Sequence, residues 1–492
     1  MVLSRSRVLL TFLAFLISLA PCEAQESDIN FKPSPLVIED KNLEETADLQ
    51  YKNYLKKNNP ELSFKMAKTM KGEYKKRKEY FIEMLHDGDL IVSGELYNYL
   101  QSLLDKITTS VNIPNKKVFI VRDYTPNAFN MGDNNIFIHL GLIYYSNSED
   151  ELAYIIAHEL GHNELGHYDK SVLDYVELEH NDSIKKIISK IKKSEYGRVS
   201  SINKLMIPWL LANKEDSRKD EYAADDYALN SVIEIGYDLT KIIEIYDVFE
   251  NYGKQVDTVL FDFENLLALN LSKSDYSGKL KVIQASSLGE FKKQKGALED
   301  KMRTHPFNED RKEVMFSKMT DENELKIKNN IDNYEFYKNL AHREIIADAL
   351  HSINLDDAIF YSLLLFQKDS TSLFVHKVIP LSFALLGYEK IKRRAGKRLA
   401  IHSPYHDNNY NQLLHFLREI SPKQCFEISN DWSKKNMDLI TGDIENPTLL
   451  IMDFISKNHD KYEIRHQVEI DKLNNYYLKP LLKLINTEYK NK

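Results

Sequence analysis

Ser148-Glu149-Asp150-Glu151-Leu152-Ala153-Tyr154-Ile155-Ile156-Ala157-His158-Glu159-Leu160-Gly161-His162 has the pattern of a helix that opens on a cap and closes on paired histidines. Ser148 with Glu151 three residues later is a capping-box signature. Leu152, Ile155, Ile156 and Leu160 then recur at helical spacing, which predicts one apolar, buried face. His158 and His162 are four residues apart, so both imidazoles project from one side of the helix and can take two corners of a tetrahedral Zn²⁺ site. Glu159 stands beside them as a candidate general base for a water molecule. The pattern points to hydrolytic metal chemistry.

A third ligand decides which arrangement this is. A metzincin site needs Gly and His at fixed offsets after the second histidine, but Leu165 and Tyr168 occupy those positions and His167 falls one residue short. A gluzincin site needs a Glu on a later helix. The stretch Asp216-Ser217-Arg218-Lys219-Asp220-Glu221-Tyr222-Ala223-Ala224-Asp225 supplies Glu221, with Asp225 one turn on along the same face. Asp225 is the candidate that holds the second ring nitrogen of a ligating histidine. Ala224 and Ala228 are small enough to let this helix lie close to the first. His167 itself reads as an exposed histidine.

These stretches make the chain resemble the zinc metallopeptidases of the CAAX prenyl protease and HtpX type, peptidase family M48, and within it the soluble, exported BepA-like branch. The resemblance rests on Asn127-Ala128-Phe129 followed by Ile136 to Ile143, on His158-Glu159-Leu160-Gly161-His162, on Ser217-Arg218 with Glu221 and Ala224-Asp225, and on Thr304-His305-Pro306. It covers roughly residues 80 to 315. It implies one Zn²⁺ per chain held by His158, His162 and Glu221, with Glu159 and Asp225 as working residues. It also implies that His305 lies near the zinc, as an oxyanion donor or as a fourth ligand in the resting enzyme. Val118 to Arg122 and Ile136 to Leu140 read as strands. The part of the chain between them looks like the strand that pairs with an extended substrate in related enzymes.

The remainder sets the context. At 492 residues the chain exceeds what one core usually organises. Only 16 Gly and 13 Pro, with many Lys, Glu, Leu and Tyr, predict a mainly helical chain, and the resemblance implies an α+β, gluzincin-type peptidase domain with a small sheet. The net charge of −8 gives no sign of a nucleic-acid partner. Lys75-Lys76-Arg77-Lys78 lies among acids and reads as a solvated face.

Arg5 and Arg7, the apolar run Val8 to Ala20, and Ala24 predict a signal peptide over residues 1–24, with Pro21 a poor neighbour for lipidation of Cys22. Leu205 to Ala212 and Val378 to Leu386 are too short to span a bilayer. Export to the periplasm or the exterior, in solution or peripheral to a membrane, is the expectation. Cys425 is then left without a disulfide partner and reads as a buried hydrophobe.

Four regions are expected. They are the signal peptide at 1–24, a polar lead-in at 25–75, the zinc metallopeptidase domain at 76–325 and a helical C-terminal domain at 330–492. Ala341 to Ser370 matches a tetratricopeptide unit weakly, and this last region is read as irregular helices that hold protein partners or substrates. The expected activity is an endopeptidase acting on proteins or peptides, unfolded or misassembled ones among them, in quality control of the cell envelope. The competing reading is a chaperone or partner-binding scaffold with a latent or structural zinc site.

Overall fold

The computed structural model describes residues 31, 33–56, 62–113, 116–133, 135–182, 185–186, 218–252, 308–318, 333–403, 406 and 408–436. The expected signal peptide, Thr304-His305-Pro306 and the whole chain beyond Asn436 lie outside these residues. Among the described residues the chain is mostly helical, with one four-stranded mixed sheet, and no helix is long and apolar enough to cross a membrane. The described residues fall into two compact units, one within 34–345, the other formed by residues 31 and 33 with those within 346–436.

The first unit opens with helices α1 (Lys41–Lys56) and α2 (Phe64–Asp87). Helix α2 starts earlier than the apolar pattern from Tyr74 suggests, because Ser63 accepts a hydrogen bond from the Met66 amide and caps it. Its buried face is partly polar. Arg77, placed by the sequence in a solvated lysine run, is 6% exposed. It donates to the Met131 carbonyl at 2.6 Å and lies over the Tyr54 ring at 3.9 Å. A cation can be buried there because its charge meets a carbonyl and a π face rather than hydrocarbon. Lys75 and Lys76 remain outside, paired with Glu79 and Glu73.

Then come β1 (Leu90–Ile91), α3 (Glu95–Ser110), β2 (Lys117–Val121), β3 (Ala128–Asn130) and β4 (Asn135–His139). The sheet order is β1-β2-β4-β3, with β2 and β4 parallel and both outer pairs antiparallel. β4 is buried at all five positions, while β3 is the half-exposed edge. Phe81, Leu85, Phe119, Met131 and Phe137 join the sheet to α1 and α2 in one apolar core.

A short helix α4 (Leu140–Tyr145) leads into α5 (Glu149–Glu164), the helix of the paired histidines, and α6 (His167–His180) follows. Ser148 Oγ accepts from the Glu151 amide at 3.2 Å, as its sequence signature predicts. The return half of the box is shifted: the Glu151 carboxylate accepts from the Asn147 amide at 2.8 Å. Glu151 is fully buried. Burial pushes its carboxyl up to about 7, against the pull of the Asn147 hydrogen bonds. A carboxyl raised above its unfolded value near 4.5 keeps its proton in the native state, so stability falls as pH rises from about 4.5 through 7. Glu151→Gln should therefore raise stability at pH 8 by roughly 1–3 kcal/mol and add little at pH 4.5, checked by urea unfolding at the two values.

Helix α7 covers residues 218–235, α8 (Leu239–Ile242) and α9 (Ile245–Asn251) follow, and α10 runs Asn308–Lys318. Gly161 of α5 is the contact point with α7. A Cβ there would meet Tyr227 Cβ at 3.1 Å and the Ala224 carbonyl at 3.2 Å. Ala224 and Ala228 are fully buried, so the small residues of α7 face the glycine of α5.

Helix α11 (Tyr334–His351) begins in this unit, where Tyr334 donates to the Ile143 carbonyl at 2.7 Å and Tyr337 stacks on Tyr99 at 3.6 Å. In the second unit, α12 (Leu355–Lys368), α13 (Leu373–Ile391), α14 (Asn408–Glu419) and α15 (Pro422–Lys435) pack by apolar faces. Cys425 is fully buried, and burial pushes its thiol up to about 12, leaving it inert.

Candidate metal centre

Three helices and one strand supply the site. His158 and His162 come from successive turns of α5 and Glu221 from the first turn of the described part of α7. Their ligand atoms all lie within 4.8 Å of one another. His158 Nε2 is 3.0 Å from His162 Nε2 and 3.5 Å from Glu221 Oε2, and His162 Nε2 is 3.4 Å from Glu221 Oε1. A tetrahedral ion with bonds of about 2.0–2.1 Å places its ligands about 3.3 Å apart, so the three groups fit three corners of such a site. The two Nε2 atoms can share one N–H···N hydrogen bond, but the Glu221 carboxylate within 3.5 Å of both adds negative charge, and a cation among the three satisfies all of them at once. The residues present fit zinc.

The far side of His158 is held as the sequence predicts. Its Nδ1 is 2.9 Å from Asp225 Oδ1. Asp225 is 4% exposed, and its charge is met by a residue the sequence reading left without a role. Arg311 of α10 donates through Nε to Oδ2 at 2.8 Å and through Nη2 to Oδ1 at 2.5 Å, the two-pronged geometry that suits a carboxylate. Tyr154 donates to the same Oδ1 at 2.7 Å and is itself 2.7 Å from the Tyr246 hydroxyl, with the Arg311 guanidinium 5.0 Å above the Tyr246 ring.

Burial alone would raise the Asp225 carboxyl, but His158 and Arg311 outweigh it and hold it well below the usual carboxylate range. Burial likewise presses the His158 imidazole down, and the hydrogen bonds to Asp225 and Glu221 overcome this, leaving it pushed up to about 9. The field that favours a proton on His158 also favours a metal cation at the same nitrogen.

Glu159, half-buried, is tied to the edge strand. Asn130 Nδ2 of β3 donates to Glu159 Oε2 at 2.9 Å and to the Glu159 main-chain carbonyl at 3.1 Å, while its Oδ1 accepts from the Gly132 amide. Asn130 is the residue after Asn127-Ala128-Phe129 and carries no signal of its own in the sequence. Of the predicted site residues, His158, Glu159, His162, Glu221 and Asp225 are thus all among the described residues, and four of them, His158, His162, Glu221 and Asp225, meet in one cluster. His305 lies outside the described residues, although Arg311, six positions on, reaches the centre. His167 is not the exposed histidine of the sequence reading, since its side chain is 12% exposed and lies against His162.

Comparison with known proteins agrees with this geometry. A segment is 23% identical over 172 residues to a protein of Vibrio cholerae named as a beta-barrel assembly-enhancing protease, covering 34% of this chain and 35% of that protein. Another is 37% identical over 75 residues to the CAAX prenyl protease 1 homolog of Oryza sativa subsp. japonica, covering 14% of this chain and 18% of that protein. The matches therefore span about a third or less of each relative's length. The model of Peptidase family M48 matches residues 96–316, from α3 to α10, the stretch that supplies all three candidate ligands and both Asp225 and Arg311. This chain carries a peptidase family M48 domain.

Proposed function

We propose that the chain is an exported zinc endopeptidase, with His158, His162 and Glu221 as the metal ligands. The observation that carries this is the three-donor cluster at tetrahedral spacing on the helix that also bears Glu159. A structural zinc site closes with four protein ligands, whereas a hydrolytic one uses three and keeps a position open. Glu159 beside the three donors supports the hydrolytic reading over a scaffold with a structural ion, since a structural site has no use for a base at that position.

Zinc held there supplies a Lewis acid that polarises a scissile carbonyl and makes water acidic enough to lose a proton near neutral pH. Glu159 accepts that proton as the water attacks and passes it to the departing amine. Asn130 keeps the Glu159 carboxylate in place. Asp225, backed by Arg311, orients His158. His305 joins the site as an oxyanion donor or a resting ligand, as its motif implies. The edge strand β3 offers the backbone groups on which an extended peptide pairs. The leader-like residues 1–24 support export, and the helical region over 330–492 recruits protein substrates or partners, unfolded or misassembled envelope proteins among them.

The full-length purified chain should hold one zinc and cleave an unfolded protein, with cleavage stopped by a chelator and restored by added Zn²⁺. Cleavage that ignores the chelator, or a folded protein that takes up no zinc, would sink this reading.

A further inference from the structure

The side of His162 turned away from the cluster is held by a second, separate device. His162 Nδ1 is 2.8 Å from Nδ1 of His167, with the two rings 4.9 Å apart and 74° from coplanar, so one ring edge meets the other. His167 Nε2 in turn faces Asp220 Oδ1 at 3.7 Å, and Lys170 donates to both Asp220 oxygens at 2.8 Å. Gly166 makes the contact available: its left-handed backbone, φ 71°, turns the chain so that α6 starts at His167 and lays this ring against the preceding helix.

From this geometry we propose that His167 is a positioning residue, which selects the tautomer of His162 that presents Nε2 as a metal ligand. The proposal rests on the zinc reading above. Two imidazole nitrogens at hydrogen-bond distance need one N–H and one lone pair. When His162 gives the lone pair of Nε2 to a metal, its proton sits on Nδ1 and donates to His167 Nδ1. His167 must then accept, so its own proton lies on Nε2, on the side where Asp220 carries negative charge. Each link of the chain has a direction, and reversing it would put a proton on the nitrogen that faces the metal.

Asp220 immediately precedes Glu221. The helix that gives the third ligand is thereby joined to the first helix on two sides, through His158 and Asp225 on one and through His162, His167 and Asp220 on the other. Both histidine ligands receive the outer partner that a ligating histidine needs, although only the first partner is an acid.

The test is zinc affinity of the full chain, measured by competition with a chromophoric chelator, beside thermal unfolding of the metal-free proteins. His167→Ala and His167→Phe, the second keeping a ring without an acceptor, should each lose about 10–100-fold in affinity. His167→Asn, whose Oδ1 can accept where Nδ1 did, should recover most of that loss. A purely structural role for the ring would instead spare the Phe variant and gain nothing from Asn. Affinity within twofold of wild type in a folded Ala or Phe variant, or an Asn variant no better than Ala, overturns the proposal while leaving the zinc reading intact. A folded wild type that binds no zinc overturns both.

Discussion

Glu159→Gln should bind zinc as wild type does and lose about 10²–10⁴-fold in turnover, the range a positioned general base contributes. Glutamine keeps the shape of the side chain and can still accept the hydrogen bond from Asn130 Nδ2, so the half-buried position and the strand contact survive. It cannot take a proton from water. The proposed ligands His158, His162 and Glu221 are untouched, so metal analysis should read the same for both proteins. His162→Ala should differ in kind, losing metal along with activity. Full turnover in the Gln variant would remove Glu159 from the mechanism and turn attention to a different base.

Arg311→Met is expected to cost about 3–5 kcal/mol of stability, the usual penalty for stripping one partner from a buried ion pair. Methionine fills much of the same volume, so the loss is electrostatic rather than a cavity. Asp225, 4% exposed, would lose both guanidinium bonds and keep only Tyr154 and His158. The carboxylate could then be stabilised only by taking a proton or shifting toward His158, and either change disturbs a candidate ligand. Denaturant unfolding of the metal-free proteins measures the first effect. Chelator competition measures the second, with a fall of about 10–100-fold expected for a lost outer partner. The double variant Arg311→Met with Asp225→Asn should recover part of the stability, because the stranded charge is gone, but none of the zinc affinity. A single variant within 1 kcal/mol of wild type would show that the clamp is not what holds Asp225.

The histidine helix and its acidic partner helix were legible in the sequence because both signals are local. Ser148, the apolar spacing and the four-residue interval of His158 and His162 are all properties of one helix, and Glu221 with Asp225 is a property of another. The strands at Lys117–Val121 and Asn135–His139 were legible for the same reason, within a residue of their expected ends.

Asn130 and Arg311 were not, since they act through contacts far along the chain that no periodicity encodes; His167 lies only five residues from His162, but the left-handed turn at Gly166 that brings the two rings together breaks the helical spacing. Arg77 was misread for a related reason. Among four consecutive basic residues, the one that is buried is chosen by the helix phase relative to Tyr54 and Met131, and these lie far away in sequence. The shifted cap at Glu151 shows the same boundary in miniature: the residue type was right, and its partner was one position off.

The close contact at Gly161 has a consequence for the proposed metal centre. Two donors ride on one helix and the third on its neighbour, so the radius available to a cation is the spacing of the two axes read out through three side chains. That spacing stops where the backbone of α5 meets Ala224 and Tyr227, with 3.1–3.2 Å left for any added carbon. Zinc bonds of about 2.0–2.2 Å tolerate little change in that spacing, and a methyl group at position 161 would force α5 and α7 apart by a few tenths of an ångström. The fit proposed for zinc thus depends partly on a residue that has no side chain and donates to no metal.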